Sequence, residues 1–394
     1  MSQEDRRRHV YVIGQTGSGK TTFLKSCILQ DLELGKGIAL IDPHGDLAEA
    51  IADAIPRSRM RDVVFFNPSD FDYPLAFNPL GRVPKHLHAV ATSNIIASLR
   101  SIWRESWGPR MEHVLANTLA ALMEAPAGKP MTLLDVSKML TDPVFRQRVL
   151  AHVSDPIVRD FWQVEFAGYD PRLRAEIIAP VLNKVGAFMR NPIMRNILGQ
   201  TRKGFDLRYM MDNRKILIVN LSKGRLGEDM TNLLGSLLTT SIYQAAMERA
   251  ELVEEEREDF HLYIDEFQNF TTDAFDSIVS EARKYRLSLT VAHQYLDQLS
   301  PRIKQAILGN VGSLLLFPLS GKDAEELAVE TNPHTASSLR ATGRGEALAV
   351  TLKDGERRQP EKISVPYGHI TTNSYKRVVR NTRTRFGQRP LYHT

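Results

Sequence analysis

The sequence predicts an α/β fold with a mainly parallel central sheet and an inserted all-α domain. Apolar strand candidates alternate with helical segments from residue 9 to about residue 82, which is typical of βαβ units. From about residue 84 to residue 204 helical periodicity replaces the strand pattern, and from about residue 215 the strands return. The strand candidates are His9–Ile13, Gly37–Ile41, Asp62–Phe66, Ile216–Asn220, Phe260–Ile264, Leu287–Ala292, Val311–Phe317 and Glu346–Leu352. We therefore expect residues 1–82 and 206–370 to form the core, residues 83–205 the insertion, and residues 371–394 a basic C-terminal tail.

Length and composition place the chain among ordinary globular proteins. Its 394 residues suffice for two domains, and 42% hydrophobic and 25% charged residues argue against disorder. The single cysteine, Cys27, excludes an intramolecular disulfide and suits a reducing compartment. No apolar run is long enough to cross a bilayer, so we expect a cytoplasmic protein, or one held at the inner membrane by partners. A membrane anchor removed from the N-terminus is an open alternative.

The first strand candidate leads into a complete phosphate-binding loop, Gly, four residues, then Gly-Lys-Thr. Its backbone N–H groups can surround phosphate oxygens, Lys20 supplies charge to the outer phosphates, and the Thr21 hydroxyl can hold Mg²⁺. We expect ATP or GTP here, with Mg²⁺; the alternative is a glycine-rich turn that opens an ordinary helix. The expected nucleotide contacts are Gly14, Gln15, Thr16, Gly17, Ser18, Gly19, Lys20, Thr21 and Thr22.

The second strand candidate ends in Asp42-Pro43-His44-Gly45-Asp46. Residues at the carboxyl edge of a parallel sheet surround the ligand crevice, so Asp42 can help to order Mg²⁺ or water. The turn-forming chemistry of Asp-Pro and Gly explains the same residues without a ligand. We favour the turn for His44 and leave both interpretations open for Asp42.

The helical stretch contains capping signals and two tryptophans. Asp142-Pro143 and Asp155-Pro156 read as an N-cap followed by proline at the first helical position. Trp103 and Trp107 suit base stacking, but Trp103 lies on an apolar helical stripe, so core packing is the better interpretation for it.

A later strand candidate, Phe260–Ile264, ends in two acids. A phosphate-loop hydrolase needs an acid at a strand end to hold Mg²⁺ through water, and Asp265 fits that role. Glu266 is placed to polarise the attacking water as a general base. Gln294 follows the next strand candidate, where we expect its amide beside Asp265 as a sensor of the γ-phosphate; a solvated glutamine is the alternative.

Three basic segments are candidates for anion contacts. Arg283 and Arg286 lie between the strand candidates Phe260–Ile264 and Leu287–Ala292 and point away from an apolar helical face. One of them neutralises charge on a neighbouring subunit's γ-phosphate, or both are solvated. In the glycine-rich loop Leu221–Gly227, Lys223 and Arg225 are candidate DNA phosphate contacts, against a plain solvated loop. Residues 375–394 carry six Lys or Arg and no acid, which suits a phosphate backbone, an acidic partner or a poorly ordered tail.

The order and spacing of these segments resemble the HerA/FtsK superfamily of hexameric translocases, most closely the coupling ATPases of conjugation and type IV secretion. The resemblance rests on Arg8 to Gly14 running into the phosphate loop, on Ile41 to Asp46, on Ile264 to Gln268, on Glu281 to Tyr285 before Ala292-His293-Gln294, and on Thr382 to Gly387.

That resemblance implies a RecA-like core, a homohexamer, and ATP-driven movement of DNA held through its phosphate backbone. It implies that Lys20 and Thr21 act on phosphate and Mg²⁺, that Asp265 is the metal-side acid and Glu266 the catalytic base, that Gln294 is the sensor, and that Arg283 is the trans-acting finger. A membrane secretion complex and an accessory nuclease or relaxase are the implied protein partners. Two alternatives stay open: a motor for protein cargo, and an ATP-dependent switch or scaffold with little turnover.

Overall fold

The computed structural model describes residues 2–81, 83–125, 130–201, 204–366 and 371–391. It divides into two compact units. The first comprises Met1–Phe66, Asp206–Gly224 and Ala245–Thr382, and the second comprises Asn67–Phe205, Arg225–Gln244 and Arg383–Thr394. The expected domain boundaries at residues 82 and 370, and residues 392–394 of the expected tail, lie outside the described residues.

The first unit contains the central sheet. Its strands are β1 Val10–Ile13, β2 Gly37–Asp42, β3 Val63–Phe66, β4 Ile216–Asn220, β5 Phe260–Ile264, β6 Leu287–His293, β7 Ser313–Leu316 and β8 Glu346–Val350; a small hairpin of β9 Leu352–Lys353 and β10 Glu356–Arg357 precedes β11 Glu361–Ser364. The described strands of the sheet lie in the order β11-β8-β7-β1-β6-β5-β2-β4-β3. All neighbours from β7 to β3 are parallel, whereas β8 pairs antiparallel with both β7 and β11. The carboxyl ends of β1, β2, β4, β5 and β6 therefore share one edge.

The inner strands read as continuous apolar runs because both of their faces are covered. Every residue of β1, β2, β4, β5 and β6 is buried, as expected for a parallel sheet flanked by helices. The predicted strand ends differ by a few residues. The first strand begins one residue late because His9 has φ 64°, and the predicted Val311–Phe317 shortens to Ser313–Leu316. The exposed, polar β11 was not predicted.

The helices alternate with the strands in the first unit and dominate the second. They are α1 Gln3–Arg6, α2 Lys20–Glu33, α3 Asp46–Asp53, α4 His88–Ile102, α5 Pro109–Met123, α6 Asp135–Thr141, α7 Pro143–Leu150, α8 Pro156–Asp160, α9 Phe166–Gly168, α10 Pro171–Met189, α11 Pro192–Leu198, α12 Leu207–Asp212, α13 Lys223–Leu226, α14 Glu228–Met247, α15 Phe275–Glu281, α16 Pro301–Asn310, α17 Gly321–Leu327, α18 Ala336–Arg340 and α19 Tyr375–Phe386.

The capping signals of the helical stretch are confirmed. The Asp142 carboxylate accepts from the N–H groups of Val144 (2.9 Å) and Phe145 (3.0 Å), and Asp155 accepts from Ile157 N–H (2.8 Å). Proline follows both caps at the first helical position, where its missing N–H costs nothing. The Trp103 ring packs on Phe188 with centroids 5.0 Å apart, as the core interpretation expects.

Three segments differ from their predicted form. A single helix over Pro156–Phe166 was expected, but it widens into a π turn at Phe161–Glu165. The expected loop after β4 contains the helical turn α13. The interpretation of the C-terminal stretch as a poorly ordered tail is wrong for Tyr375–Phe386. These residues form α19, because Val378 and Thr382 give that helix a buried face.

A buried ion cluster fixes α1 to the sheet at its amino edge. The Arg6 guanidinium donates to both carboxylate oxygens of Asp31 (2.5 and 2.8 Å) and to the Tyr263 hydroxyl (2.7 Å), which itself donates to Asp31. The Asp31 side chain is fully buried. Burial opposes its ionisation, but hydrogen bonds from Arg6 and Tyr263, together with the charges of Arg6 and His261, hold the pKa of Asp31 below its usual value.

We expect Arg6→Ala to destabilise the first unit strongly. Removing one partner of a buried ion pair leaves an uncompensated charge and costs about 3–5 kcal/mol. Urea unfolding measures the loss. The control is Arg302→Ala, which breaks a surface ion pair with Asp276. The Arg302 side chain is 68% exposed, so its loss should cost no more than about 1 kcal/mol. Equal losses in the two variants would contradict the prediction.

Candidate active site

The phosphate-binding loop joins β1 to α2 and is shaped by its glycines. A Cβ at Gly14 would lie 2.4 Å from the Phe317 Cβ, so only glycine lets the loop pass this close to the chain after β7. Gly19 has φ 122°, a conformation that L side chains rarely adopt, and α2 begins directly after it. These two constraints direct the first N–H groups of α2 into the loop.

Lys20 lies at the centre of this loop with only 5% of its surface exposed. Its ammonium donates to the carbonyl oxygens of Gly14 (2.6 Å) and Gln15 (3.1 Å). Burial lowers the pKa of Lys20, and the charges of Glu266 and Asp265 oppose that shift. Because both acceptors are neutral carbonyls, the positive charge remains available for an anion in the loop.

Asp265 faces the start of α2 from the end of β5. The Thr21 hydroxyl donates to its carboxylate at 3.2 Å, and the residue is 3% exposed. Burial raises the pKa of Asp265 to about 6, with further contributions from the charges of Asp42 and Glu266. A cation beside these carboxylates would relieve their repulsion, and hydroxyl and carboxylate oxygens are ligands that Mg²⁺ accepts.

Two further observations bear on ligand fit. The Ser18 hydroxyl is buried in the loop and has no hydrogen-bond partner among the described residues. Among the residues that the structure describes, no cluster of three or more His, Cys, Asp or Glu side chains is arranged to bind a metal ion. A site with Thr21 and Asp265 therefore suits Mg²⁺ that takes its other ligands from phosphate and water, as is common for this ion.

Glu266 occupies a strained and fully hydrogen-bonded position. Its backbone has φ 46°, in the left-handed region, and its N–H donates to the Asp265 carboxylate at 3.0 Å. One carboxylate oxygen accepts from Gln294 (3.0 Å) and the other from Gln268 (2.8 Å). Non-glycine residues in this conformation cost about 1–3 kcal/mol and cluster at functional sites.

Gln294 connects the phosphate loop to Glu266. Its amide oxygen accepts from the Thr16 hydroxyl at 2.9 Å while its amide nitrogen donates to Glu266. The sequence predicted a place beside Asp265; the structure shows contact with Glu266, because the Asp265 carboxylate already accepts from Thr21 and from the Glu266 N–H. Gln294 reaches the phosphate loop as well, because β6 lies between β1 and β5. Gln298 supports this turn by accepting from the N–H groups of Gln294 (3.3 Å) and Tyr295 (3.2 Å).

Both carboxylate oxygens of Asp42 serve the turn that opens α3. They accept from His44 N–H (2.8 Å) and Ala48 N–H (2.9 Å), and Asp42 is 1% exposed. The turn interpretation therefore accounts for Asp42, whose charge also acts on Asp265. The His44 side chain is exposed.

Arg283 lies at the opposite edge of the sheet from the phosphate loop. It belongs to a 3₁₀ helix, Ala282–Tyr285, that follows α15 and precedes the amino end of β6. The seven residues of β6 separate it from Gln294 by roughly 20 Å at about 3.3 Å per residue. At this distance the exposed Arg283 side chain cannot reach a phosphate in the loop of its own chain.

Lys223 is tied to the turn that holds Glu266. Its ammonium donates to the Asn269 side-chain oxygen at 2.9 Å, and the Asn269 amide donates to the Glu266 carbonyl at 2.8 Å. The Lys223 N–H also donates to the Pro43 carbonyl at 2.9 Å. Arg225, two residues on, is exposed. Sequence reasoning missed Asn269, Gln268 and Gln298, because their amides act only through contacts that the fold creates.

Comparisons with known proteins give one matching family and several similar solved structures. A family model described as Type IV secretory system Conjugative DNA transfer matches residues 2–317. A solved structure of the plasmid coupling protein TrwB with the non-hydrolysable GTP analogue GDPNP is 14% identical, with TM-score 0.66 over 93% of this chain and 88% of that chain. TrwB with ADP and Mg²⁺ is 14% identical, with TM-score 0.66 over 94% and 90%. TrwB with the ATP analogue ADPNP is 15% identical, with TM-score 0.64 over 93% and 87%.

At this identity the likeness establishes a shared fold. The prediction of an α/β fold with a RecA-like phosphate-loop core and a mainly parallel sheet is confirmed. No curated protein matches the chain. Among the residues that the structure describes, none of the helices combines the length and apolarity needed to cross a membrane.

Proposed function

We propose a function that starts from family membership: this chain belongs to the conjugative DNA transfer family of type IV secretory systems. The resemblance drawn from the sequence is thereby confirmed, and the chain is a DNA-translocating motor of conjugation and type IV secretion. We propose that ATP hydrolysis drives it. The observation that carries this proposal is the continuous path from Thr16 in the phosphate loop through Gln294 to Glu266.

The nucleotide would be ATP with Mg²⁺, held by residues 14–22. Related TrwB structures contain an ATP analogue, and ADP with Mg²⁺. Lys20 would turn from its two loop carbonyls to the outer phosphates, and the unpartnered Ser18 hydroxyl is available to the same anion. Thr21 and Asp265 would hold Mg²⁺, which when bound neutralises charge on the phosphates.

Hydrolysis would use Glu266 as the general base. A water attacks the γ-phosphorus, the bond to the β-phosphate oxygen breaks, and Glu266 takes the proton of the water, leaving ADP and phosphate. Gln268 and Gln294 hold both oxygens of Glu266, so the base is oriented before the nucleotide arrives. We propose a homohexamer in which Arg283 of one subunit reaches the γ-phosphate of the next, consistent with its place at the amino edge.

DNA would be held through its phosphate backbone by the segment after β4, with Lys223 and Arg225 as contacts. The protein partners would be a membrane secretion complex and an accessory nuclease or relaxase, which would place the motor at the secretion apparatus. Protein cargo is the second candidate, because the same engine serves either substrate.

Hydrolysis measured with single- and double-stranded DNA over a salt series tests the proposal. Stimulation that fades with salt supports a DNA motor, because phosphate contacts weaken as counterions compete. Basal hydrolysis that DNA leaves unchanged favours protein cargo, and nucleotide binding without turnover favours a switch.

Asn269 offers a test of how the β4 segment reaches the base. We expect Asn269→Ala to reduce kcat several-fold with the KM for ATP nearly unchanged, since losing a hydrogen bond of about 0.5–1.5 kcal/mol loosens the Glu266 turn. DNA stimulation should fall more than basal hydrolysis, because the variant also loses the acceptor for Lys223. Asn310→Ala, which removes an exposed amide donating to the Ala306 carbonyl, is the matched control. A rise in KM alone would argue against this link.

A further inference from the structure

The C-terminal helix α19 is fixed on the first unit through its apolar face. Val378 and Thr382 are buried, and the Thr382 hydroxyl accepts from Phe65 N–H at 3.1 Å. The Tyr375 ring meets the Phe65 ring edge-on, with centroids 5.6 Å apart. At its start, Tyr375 N–H donates to the Asp53 carboxylate at 3.3 Å. The helix therefore presents only its other face to solvent.

That other face is basic. Lys376, Arg377 and Arg380 are exposed, and residues 371–391 contain no Asp or Glu. Arg377 extends to Met60, with its Nη1 3.8 Å from the sulfur. Met60 belongs to the 3₁₀ helix Arg57–Asp62, which adds two more exposed cations. We call Arg57, Lys376 and Arg377 the basic patch.

Two acids near the basic patch, Asp62 and Asp53, already have partners. Asp62 accepts from Arg59 (2.8 Å) and Lys215 (2.6 Å), and these contacts outweigh burial to lower its pKa. Asp53 is half-buried and caps α19. The basic patch thus has an excess of positive charge, which is the electrostatic footprint of a phosphate-binding surface.

We propose that the basic patch binds the phosphate backbone of DNA without reading sequence, as a contact separate from the segment after β4; this inference rests on the proposed function. Two of its three cations are arginines, whose planar guanidinium groups match phosphate oxygens bidentately. An anionic membrane is the weaker choice, because a helix that lies on a bilayer needs a free apolar face and that of α19 is buried against the sheet.

The patch also lies away from the candidate active site. Arg57–Asp62 precede the amino end of β3, whereas Lys20, Asp265 and Glu266 lie at or beyond the carboxyl ends of their strands. The basic patch would therefore guide the strand or duplex without bringing it into the hydrolytic centre.

Fluorescence anisotropy with a labelled mixed-sequence duplex, and with a labelled single strand of the same sequence, tests the inference on the 394-residue chain over a salt series. We expect R57Q/K376Q/R377Q to reduce the slope of log affinity against log salt by about 0.9 per lost contact. A control with the same charge change, R340Q/K353Q/R358Q, removes exposed cations outside the patch and should keep the wild-type slope. R57K/R377K retains the charge and should keep that slope as well, while thermal unfolding reports the folding of each variant.

Three outcomes would overturn the inference. A wild-type slope in the glutamine variant would refute the patch while leaving the proposed function intact. An absence of binding by the wild-type chain to the duplex and to the single strand would refute both. Loss of binding to phosphatidylglycerol-containing vesicles, with the DNA slope unchanged, would assign the basic patch to a membrane.

Discussion

Glu266→Gln should abolish ATP hydrolysis while leaving nucleotide binding intact. The substitution keeps the shape of the side chain and its neighbours Gln268 and Gln294, but an amide cannot take the proton of the attacking water. General bases contribute about 10²–10⁴-fold to rate, so we expect kcat to fall by at least about a hundredfold. Steady-state hydrolysis in the presence of DNA gives kcat, and a fluorescent ATP analogue gives the dissociation constant.

Glu281→Gln is the matched control, because it neutralises a carboxylate that pairs with Lys284 at the surface, at 2.7 Å. It should retain the wild-type rate. If the Glu266 variant kept more than a tenth of wild-type activity, Glu266 would not be the base. If it lost nucleotide binding as well, its role would be structural, in holding the strained turn after β5.

Lys20→Ala should weaken nucleotide binding strongly. Each hydrogen bond to a charged group contributes about 1.5–3 kcal/mol, so the affinity for ATP should fall about ten- to a hundredfold, and hydrolysis should fall below detection. The unliganded fold should survive, since Lys20 donates only to carbonyls of its own loop. Thermal unfolding shows both effects: the midpoint without nucleotide stays, and the rise caused by ATP with Mg²⁺ disappears.

Lys25→Ala is the control, because Lys25 belongs to the same helix but lies one turn beyond the loop. It should retain the nucleotide-dependent rise in midpoint. An unliganded Lys20 variant that already unfolds at a much lower temperature would mean that the lysine stabilises the loop itself.

The phosphate loop was readable from the sequence because its requirements are local. A buried strand, glycines at the turn, a lysine and a helix all fall within about two dozen consecutive residues, so spacing alone predicts their geometry. The same holds for Asp265 and Glu266, which follow an apolar strand directly. The strands themselves were recognisable because burial on both faces makes each a continuous apolar run.

Contacts between distant segments were not readable in the same way. Gln294 meets Glu266 rather than Asp265 because the Asp265 carboxylate already accepts from Thr21 and from the Glu266 N–H, contacts that no local pattern encodes. Asn269 and Lys223 are 46 positions apart, and neither residue type signals a partner by itself. The strand β11 was missed because its residues are mostly exposed and polar, so it lacks the apolar signal that revealed the inner strands.

The role proposed for Arg283 constrains the symmetry of the proposed assembly. Lys20 follows the carboxyl end of β1, and Arg283 precedes the amino end of β6, so the two lie at opposite edges of one sheet. A contact that brings Arg283 of one copy to Lys20 of another joins the amino edge of one sheet to the carboxyl edge of the next. A twofold-symmetric dimer makes this contact only where both residues lie on one self-complementary face; on two separate faces the contact is heterologous, and repeating it gives either a closed ring or an open helical filament. Every subunit in a closed ring would then contribute to two catalytic centres, one with its loop and one with its arginine.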